Sequence, residues 1–155
     1  MLSVAYSGDG ARLACGTMDG TVAVFDTATA TLLHTLPGLH LPVRSLAWLP
    51  DSATLLTACD DGFVSMFDAE HGALLAEMKG HEGWVLAVAT APDGACFATG
   101  GADATVRLWD TATRSCAQVL SGEHSELVWG VAFSPDGARL ASASDDKSVA
   151  LHAVS

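Results

Sequence analysis

The sequence predicts an all-β fold in which one four-stranded unit repeats along the chain, and three observations predict it. The first is a spacing. Asp19, Asp61, Asp103 and Asp146 each open a hydrophobic run, and they stand 42, 42 and 43 residues apart. The second is a ring six residues after each aspartate, at Phe25, Phe67, Trp109 and His152, followed by Asp26, Asp68 and Asp110 in the first three copies. The third is a set of turn residues in constant phase: Gly8-Asp9-Gly10, Pro50-Asp51-Ser52, Pro92-Asp93-Gly94 and Pro135-Asp136-Gly137, with Gly38, Gly80 and Gly122 recurring as well. Independent markers held in register through four periods define an internal repeat. Repeats of this length are supersecondary units that bury their apolar faces by stacking on neighbours.

Each element of the period follows from its residues. Val85–Thr90 is apolar on both alternating faces, so this strand must be covered on both sides, and Leu55–Ala58 reads the same way. Cys96–Gly100 and Thr105–Trp109 are short, rich in small, β-branched or aromatic residues, and bounded by turn residues, which is a strand signal. Ser115–Leu120 is more polar and reads as an outer strand. No segment requires a helix of 3.6 periodicity. A sheet with two buried faces, repeated, implies sheets packed face to face.

Four strands per period of about 40 to 45 residues, with Gly80-His81 at one end of the third copy and Trp109-Asp110 at the other, resembles the blades of the WD40-repeat β-propeller family. The resemblance covers the whole chain. It implies a partial WD40 propeller of about four consecutive blades, an arc of a seven-bladed ring. Blade 1 is expected at about 1–37, blade 2 at 38–79, blade 3 at 80–121, and blade 4 at 122–155 without its outer strand. In that family an Asp, a His, a Ser or Thr and a Trp tie adjacent strands through a buried hydrogen-bond network. Carried over, this implies His81, Thr99, Asp103 and Trp109 in the third copy, and His124, Ser142 and Asp146 in the fourth, where His152 replaces the Trp. The second copy supplies Thr57, Asp61 and Phe67, with Leu39 at the His position and His40 one place late. The first keeps Asp19, with Cys15 and Phe25 as substitutes. Phenylalanine cannot donate a hydrogen bond as an indole can, so the first two networks are expected to be weaker.

Some strings are more specific than the family pattern. They are Phe25–Thr29 followed by Leu32–Leu36, Pro42–Leu46 followed by Ala58–Gly62, and Gly83–Ala89 followed by Asp110–Cys116, Val128–Val131 and Asp145-Asp146. Together they are similar to the C-terminal part of the WD-repeat adaptors that serve as small propeller subunits of superkiller complexes and of Paf transcription-elongation complexes. That resemblance implies a non-catalytic scaffold in cytoplasm and nucleus, with no cofactor. Its implied partners are the helical-repeat scaffold and helicase of a superkiller-like complex, or Paf-complex subunits, supporting RNA decay with the exosome or transcription elongation. A WD40 substrate receptor of a ubiquitin ligase, or a structural coat or scaffold, would share the fold.

Composition narrows the classes. The chain has 18 acids against 7 bases, a net charge of -11, so direct nucleic-acid binding through a basic patch is not expected. No apolar run approaches the roughly 20 residues of a membrane helix, so no membrane span is expected. The N-terminus lacks a basic segment ahead of a long apolar core, so no signal peptide is expected. Cys15, Cys59, Cys96 and Cys116 lie singly, which suits reduced thiols, and the first three fall in strands. The six histidines, His34, His40, His71, His81, His124 and His152, lack metal-ligand spacing. The periodic aspartates read as turn residues rather than catalytic acids, so neither a catalytic nor a metal site is expected.

Binding is expected where the innermost strands begin, beside the Gly-His loops and the Asp turns. The rim residues there are Arg44, Leu86 and Trp129, preceded two places earlier by Pro42, Trp84 and Leu127, with Met18, Asp60 and Asp145 just before the turn aspartates. Trp and Arg are the side chains that dominate interface energetics. Asp60 and Asp145 beside these rings suggest a partner motif with a basic residue next to an apolar anchor. Because Met1 enters within an innermost strand, a truncated ring lacking about three repeats is expected, in preference to two arcs pairing to close one.

Overall fold

A computed structural model of the chain describes residues 2–154, all strand, turn and loop. Its fifteen strands form four antiparallel sheets in sequence order. The first holds β1 (Ser3–Tyr6), β2 (Arg12–Gly16), β3 (Val22–Asp26) and β4 (Leu32–Leu36). The second holds β5 (Val43–Trp48), β6 (Thr54–Cys59), β7 (Phe63–Asp68) and β8 (Ala73–Lys79). The third holds β9 (Val85–Thr90), β10 (Cys96–Gly101), β11 (Val106–Asp110) and β12 (Ser115–Leu120). The fourth has three strands, β13 (Val128–Phe133), β14 (Arg139–Ser144) and β15 (Val149–Ala153). The third strand of the third unit begins at Val106 rather than at Thr105, because the Thr105 hydroxyl and amide belong to the turn that Asp103 organises. Among the described residues no helix is long and apolar enough to cross a membrane.

Each sheet is a meander, and successive sheets stack through their first strands, β1 against β5, β5 against β9, and β9 against β13. The cores lie between sheets rather than within one. Val22, Val24 and Leu36 of the first sheet meet Val43, Trp48, Leu55 and Phe67 of the second. Met66 and Met78 of the second meet Val85, Phe97 and Trp109 of the third, where the two rings stack with centroids 5.9 Å apart and 5° between planes. Val106 and Leu108 of the third meet Val128 and Leu140 of the fourth. Contact is close enough that a Cβ on Gly100 would lie 2.7 Å from Val128 Cγ1, so this strand position takes glycine.

Polar bonds cross the same gaps. Trp48 Nε1 donates to the Ala5 carbonyl at 3.0 Å, and Thr90 Oγ1 to the Trp48 carbonyl at 2.9 Å. Arg12 Nη1 reaches the Ser52 carbonyl at 3.1 Å. Leu55 and Leu13 occupy the same place in the repeat, but only Leu55 faces a preceding sheet, and it is fully buried while Leu13 is not. Leu55→Ala is therefore expected to cost about 2–5 kcal/mol in urea unfolding, and Leu13→Ala clearly less.

Candidate functional site

Two chains of hydrogen-bonding groups decide where the loops at one end of the stack sit. In the third sheet Trp109 Nε1 donates to Thr99 Oγ1 at 2.9 Å, and Thr99 Oγ1 lies 2.7 Å from His81 Nε2. His81 Nδ1 is 3.0 and 3.1 Å from the carboxylate oxygens of Asp103. The indole can only donate and the carboxylate only accept, so one direction satisfies every atom. Thr99 donates to Nε2, and His81 carries its proton on Nδ1 and gives it to Asp103. Asp103 also accepts from the Glu82 amide at 3.0 Å and the Thr105 hydroxyl at 2.8 Å. Burial pushes the His81 pKa down, which outweighs the opposing pull of Asp103 and keeps the ring neutral. Burial pushes Asp103 up, but its hydrogen bonds from His81, Glu82 and Thr105 hold the carboxyl below the usual range.

The fourth sheet repeats the chain with one exchange. His124 Nδ1 is 2.9 Å from Asp146, its Nε2 is 2.8 Å from Ser142 Oγ, and Ser142 Oγ is 3.0 Å from His152 Nε2. His152 thus stands where the indole donates in the third sheet. The Ser148 hydroxyl at 2.5 Å, together with His124 and the Ser125 amide, holds the Asp146 pKa down.

The other two sheets depart from the four-residue pattern. Thr57, expected in a network, has its hydroxyl buried without a partner: Phe67 has no donor, and Leu39 fills the histidine's place. His40 is exposed, and Asp61 accepts the Phe63 amide within its own turn, at 2.8 Å. Asp19 is bound by Thr17 and Thr21 within its own turn, with no histidine. Thr105 and Ser148, two residues after their aspartates, belong to the networks without having been singled out from the sequence. The Asp-x-Thr/Ser spacing, also present at Asp19 and Thr21, is the signal that could have found them.

These networks pin the rim. The amides of Asp60, Ala102 and Asp145 donate to the carbonyls of Pro42, Trp84 and Leu127 at 3.0, 2.9 and 3.0 Å, tying each inter-sheet loop to the turn beside it. The strand pairing then skips one residue in β5, β9 and β13: Arg44, Leu86 and Trp129 are the extra residues of β-bulges. A bulge leaves its residue out of the ladder and re-aims its side chain. Arg44 turns to a bidentate pair with Asp60, at 2.8 and 2.6 Å, and its guanidinium lies 5.5 Å from the centroid of the Trp84 ring. Trp84 stays 47% exposed, Trp129 45% and Met18 57%.

Two rim expectations change. Leu86 is not a surface residue, since it is 3% exposed on β9, which has an inner strand stacked on each side, β5 and β13. Asp60 is not a free anion, because its carboxylate is nearly buried and fully engaged by Arg44. Beside Trp84 opens an almost wholly apolar cleft of about 280 Å³, formed with Gly83, Ala102 and Leu127. Glu82, Glu126 and Asp145, neighbours of its lining residues in chain or by hydrogen bond, are exposed. Among the described residues no group of three or more His, Cys, Asp and Glu is placed to hold a metal ion. Cys59, pushed up to about 11 by burial, donates weakly to the Leu41 carbonyl.

Residues 1–26, 30–68, 72–110 and 114–152 each match the family described as WD domain, G-beta repeat. A 48-residue stretch is 58% identical to WD repeat-containing protein VIP3 of Arabidopsis thaliana, covering 31% of this chain and 15% of that protein.

Thr57 and Thr99 predict opposite outcomes for the same exchange. Thr99→Val strands the Trp109 donor and the His81 acceptor and should cost about 1–3 kcal/mol in urea, whereas Thr57→Val removes an orphaned hydroxyl and should leave stability unchanged or raised. The folded-state pKa of His81 lies below its ordinary 6.5, and that of His152 is lowered as well, so the unfolded chain binds protons there first. Stability is then lost as pH falls through about 6.5. The urea midpoint should drop between pH 7.5 and 5.5, with a shallower dependence in His81→Gln.

Proposed function

Because the chain belongs to the WD40 repeat family, which builds scaffolds for protein interaction, we propose that its bulge-lined rim is where it binds other proteins. The observation that carries this reading is the cleft at Trp84. An indole held by Arg44, itself held by Asp60, is a preorganised apolar surface that loses little side-chain freedom on binding. Glu82, Glu126 and Asp145 around it favour an apolar side chain flanked by lysine or arginine in the partner. Asp145 keeps the role suggested by its position. Asp60 contributes instead by fixing Arg44.

The finer reading is an adaptor for a superkiller-like or Paf-like assembly, acting in cytoplasm and nucleus and joining a helical-repeat scaffold and helicase or elongation subunits. It is supported by the segment-level sequence resemblance, and the match to the Arabidopsis WD-repeat protein agrees with it over 48 residues. The chain covers only a small part of that relative's length, so the assembly it joins is proposed by resemblance. No residue is assigned a catalytic role.

Affinity purification from the native source followed by mass spectrometry tests both levels. Helicase, helical-repeat and elongation subunits are expected, while ligase or coat subunits would contradict the finer reading. Trp84→Ala and Trp129→Ala should each reduce capture at least about tenfold, as hot-spot truncations do, with unchanged circular dichroism. Undiminished capture by both folded variants would overturn the rim as the binding surface.

A further inference from the structure

The cleft beside Trp84 is bordered by a residue without a side chain, Gly83. In the repeat, Gly83 corresponds to Leu41 in the loop before β5 and to Glu126 in the loop before β13. The backbone confirms the match, because the turn amides of Asp60, Ala102 and Asp145 donate to the next residue of each loop, Pro42, Trp84 and Leu127. Two of the three loops thus carry a long side chain at this place. Packing does not explain why the third carries none. A Cβ on Gly80 would lie 2.7 Å from Trp109 Cη2, and one on Gly101 would strike the His81 ring, so those two positions are closed to any side chain. Among the described residues a Cβ on Gly83 would meet Ala102 Cβ alone, at 3.6 Å, which is ordinary van der Waals contact. Its φ also lies outside the left-handed region that favours glycine.

What the glycine does is leave Trp84, Ala102 and Leu127 uncovered around an apolar space of about 280 Å³. The space has a polar edge as well. The carbonyls of Leu41 and Glu126 accept Cys59 Sγ at 3.3 Å and Ser144 Oγ at 3.0 Å from the turns beside them. Gly101 stands at the matching place in the third sheet and has no side chain to give, so the Gly83 carbonyl is left to other donors. An apolar hollow with a backbone acceptor at its edge suits a peptide that offers an apolar side chain and an N–H together. Glu82, Glu126 and Asp145 around it are exposed, which favours cations at the flanking positions of that peptide and disfavours acids.

We infer that Gly83 sets the specificity of the rim: the cleft takes one leucine-sized aliphatic side chain from a partner peptide, with a lysine or arginine beside it. The partner then supplies at the third loop what Leu41 supplies at the second. This rests on the proposed reading of the rim as the binding surface, and it adds which side chain is accepted and which residue decides it. A shorter side chain leaves the walls of Trp84, Ala102 and Leu127 in water, and an acidic one meets three carboxylates. A side chain placed on Gly83 itself occupies the space from within.

The indole N–H resonance of Trp84, followed as capped tripeptides are added to the whole chain, tests it. Lys-Leu-Lys is expected to shift this resonance to saturation, and Lys-Ala-Lys to need about tenfold more peptide. Gly83→Leu should abolish the saturable shift and Gly83→Ala should weaken it. The buried indoles of Trp48 and Trp109 should keep their resonances in both variants, which shows that they have folded. No saturation with Lys-Leu-Lys, equal affinity for the two peptides, or wild-type binding by a folded Gly83→Leu or Gly83→Ala chain would each overturn the inference. Partner capture separates it from the reading beneath it. Capture lost in Trp84→Ala but kept in Gly83→Leu overturns the role of Gly83 alone, whereas capture kept in Trp84→Ala removes the rim and this inference with it.

Discussion

Everything in this molecule depends on the packing of one sheet against the next. A four-stranded meander that is apolar on both faces cannot bury them within itself, and here the three cores sit in the gaps between sheets. The inner strands therefore have to be small at close approaches, as at Gly100 of β10 against Val128, and the first strands β5 and β9 carry side-chain donors, Trp48 and Thr90, that reach carbonyls of the sheet before them. The outer strands carry no such demand. β8 and β12 are mostly exposed and correspondingly polar or mixed in composition.

The hydrogen-bond networks do a second job. They are not spread evenly along the chain: the third and fourth sheets have complete donor-to-acceptor chains, and the first and second do not. Each complete chain ties the inter-sheet loop, through its histidine, to the Asp turn and to the middle of the sheet. In the second sheet a different device stands in, the Arg44–Asp60 pair, which also links loop to turn and at the same time supports Trp84 from beneath. The rim is thus held by buried polar groups in two sheets and by a partly buried ion pair in a third, and the exposed Trp84 ring lies against the guanidinium of that pair.

Much of this was legible in the residues alone. The period of the aspartates locates every turn, and two-sided apolarity at Val85–Val88 and Leu55–Ala58 identifies strands buried on both faces, because burial on a pleated strand is written directly in alternating positions. His81, Thr99, Asp103 and Trp109 meet as the family pattern implies, and the substitution of Phe67 for an indole marks the network that leaves Thr57 unpaired. The bulges at Arg44, Leu86 and Trp129 were not legible, since a bulge is a property of the register between two strands and neither strand shows it alone. Nor was the burial of Leu86, which depends on side chains from two neighbouring sheets, or the capture of Asp60 by an arginine sixteen residues away.

If sheet-to-sheet packing carries the stability, protection should follow the number of neighbours a sheet has. Native-state hydrogen exchange measures this most directly. Amides of β5–β7 and β9–β11, which have a sheet on each side, should exchange more slowly than those of β1–β3 and β13–β15, which have one. Equal protection across all four sheets would contradict the account.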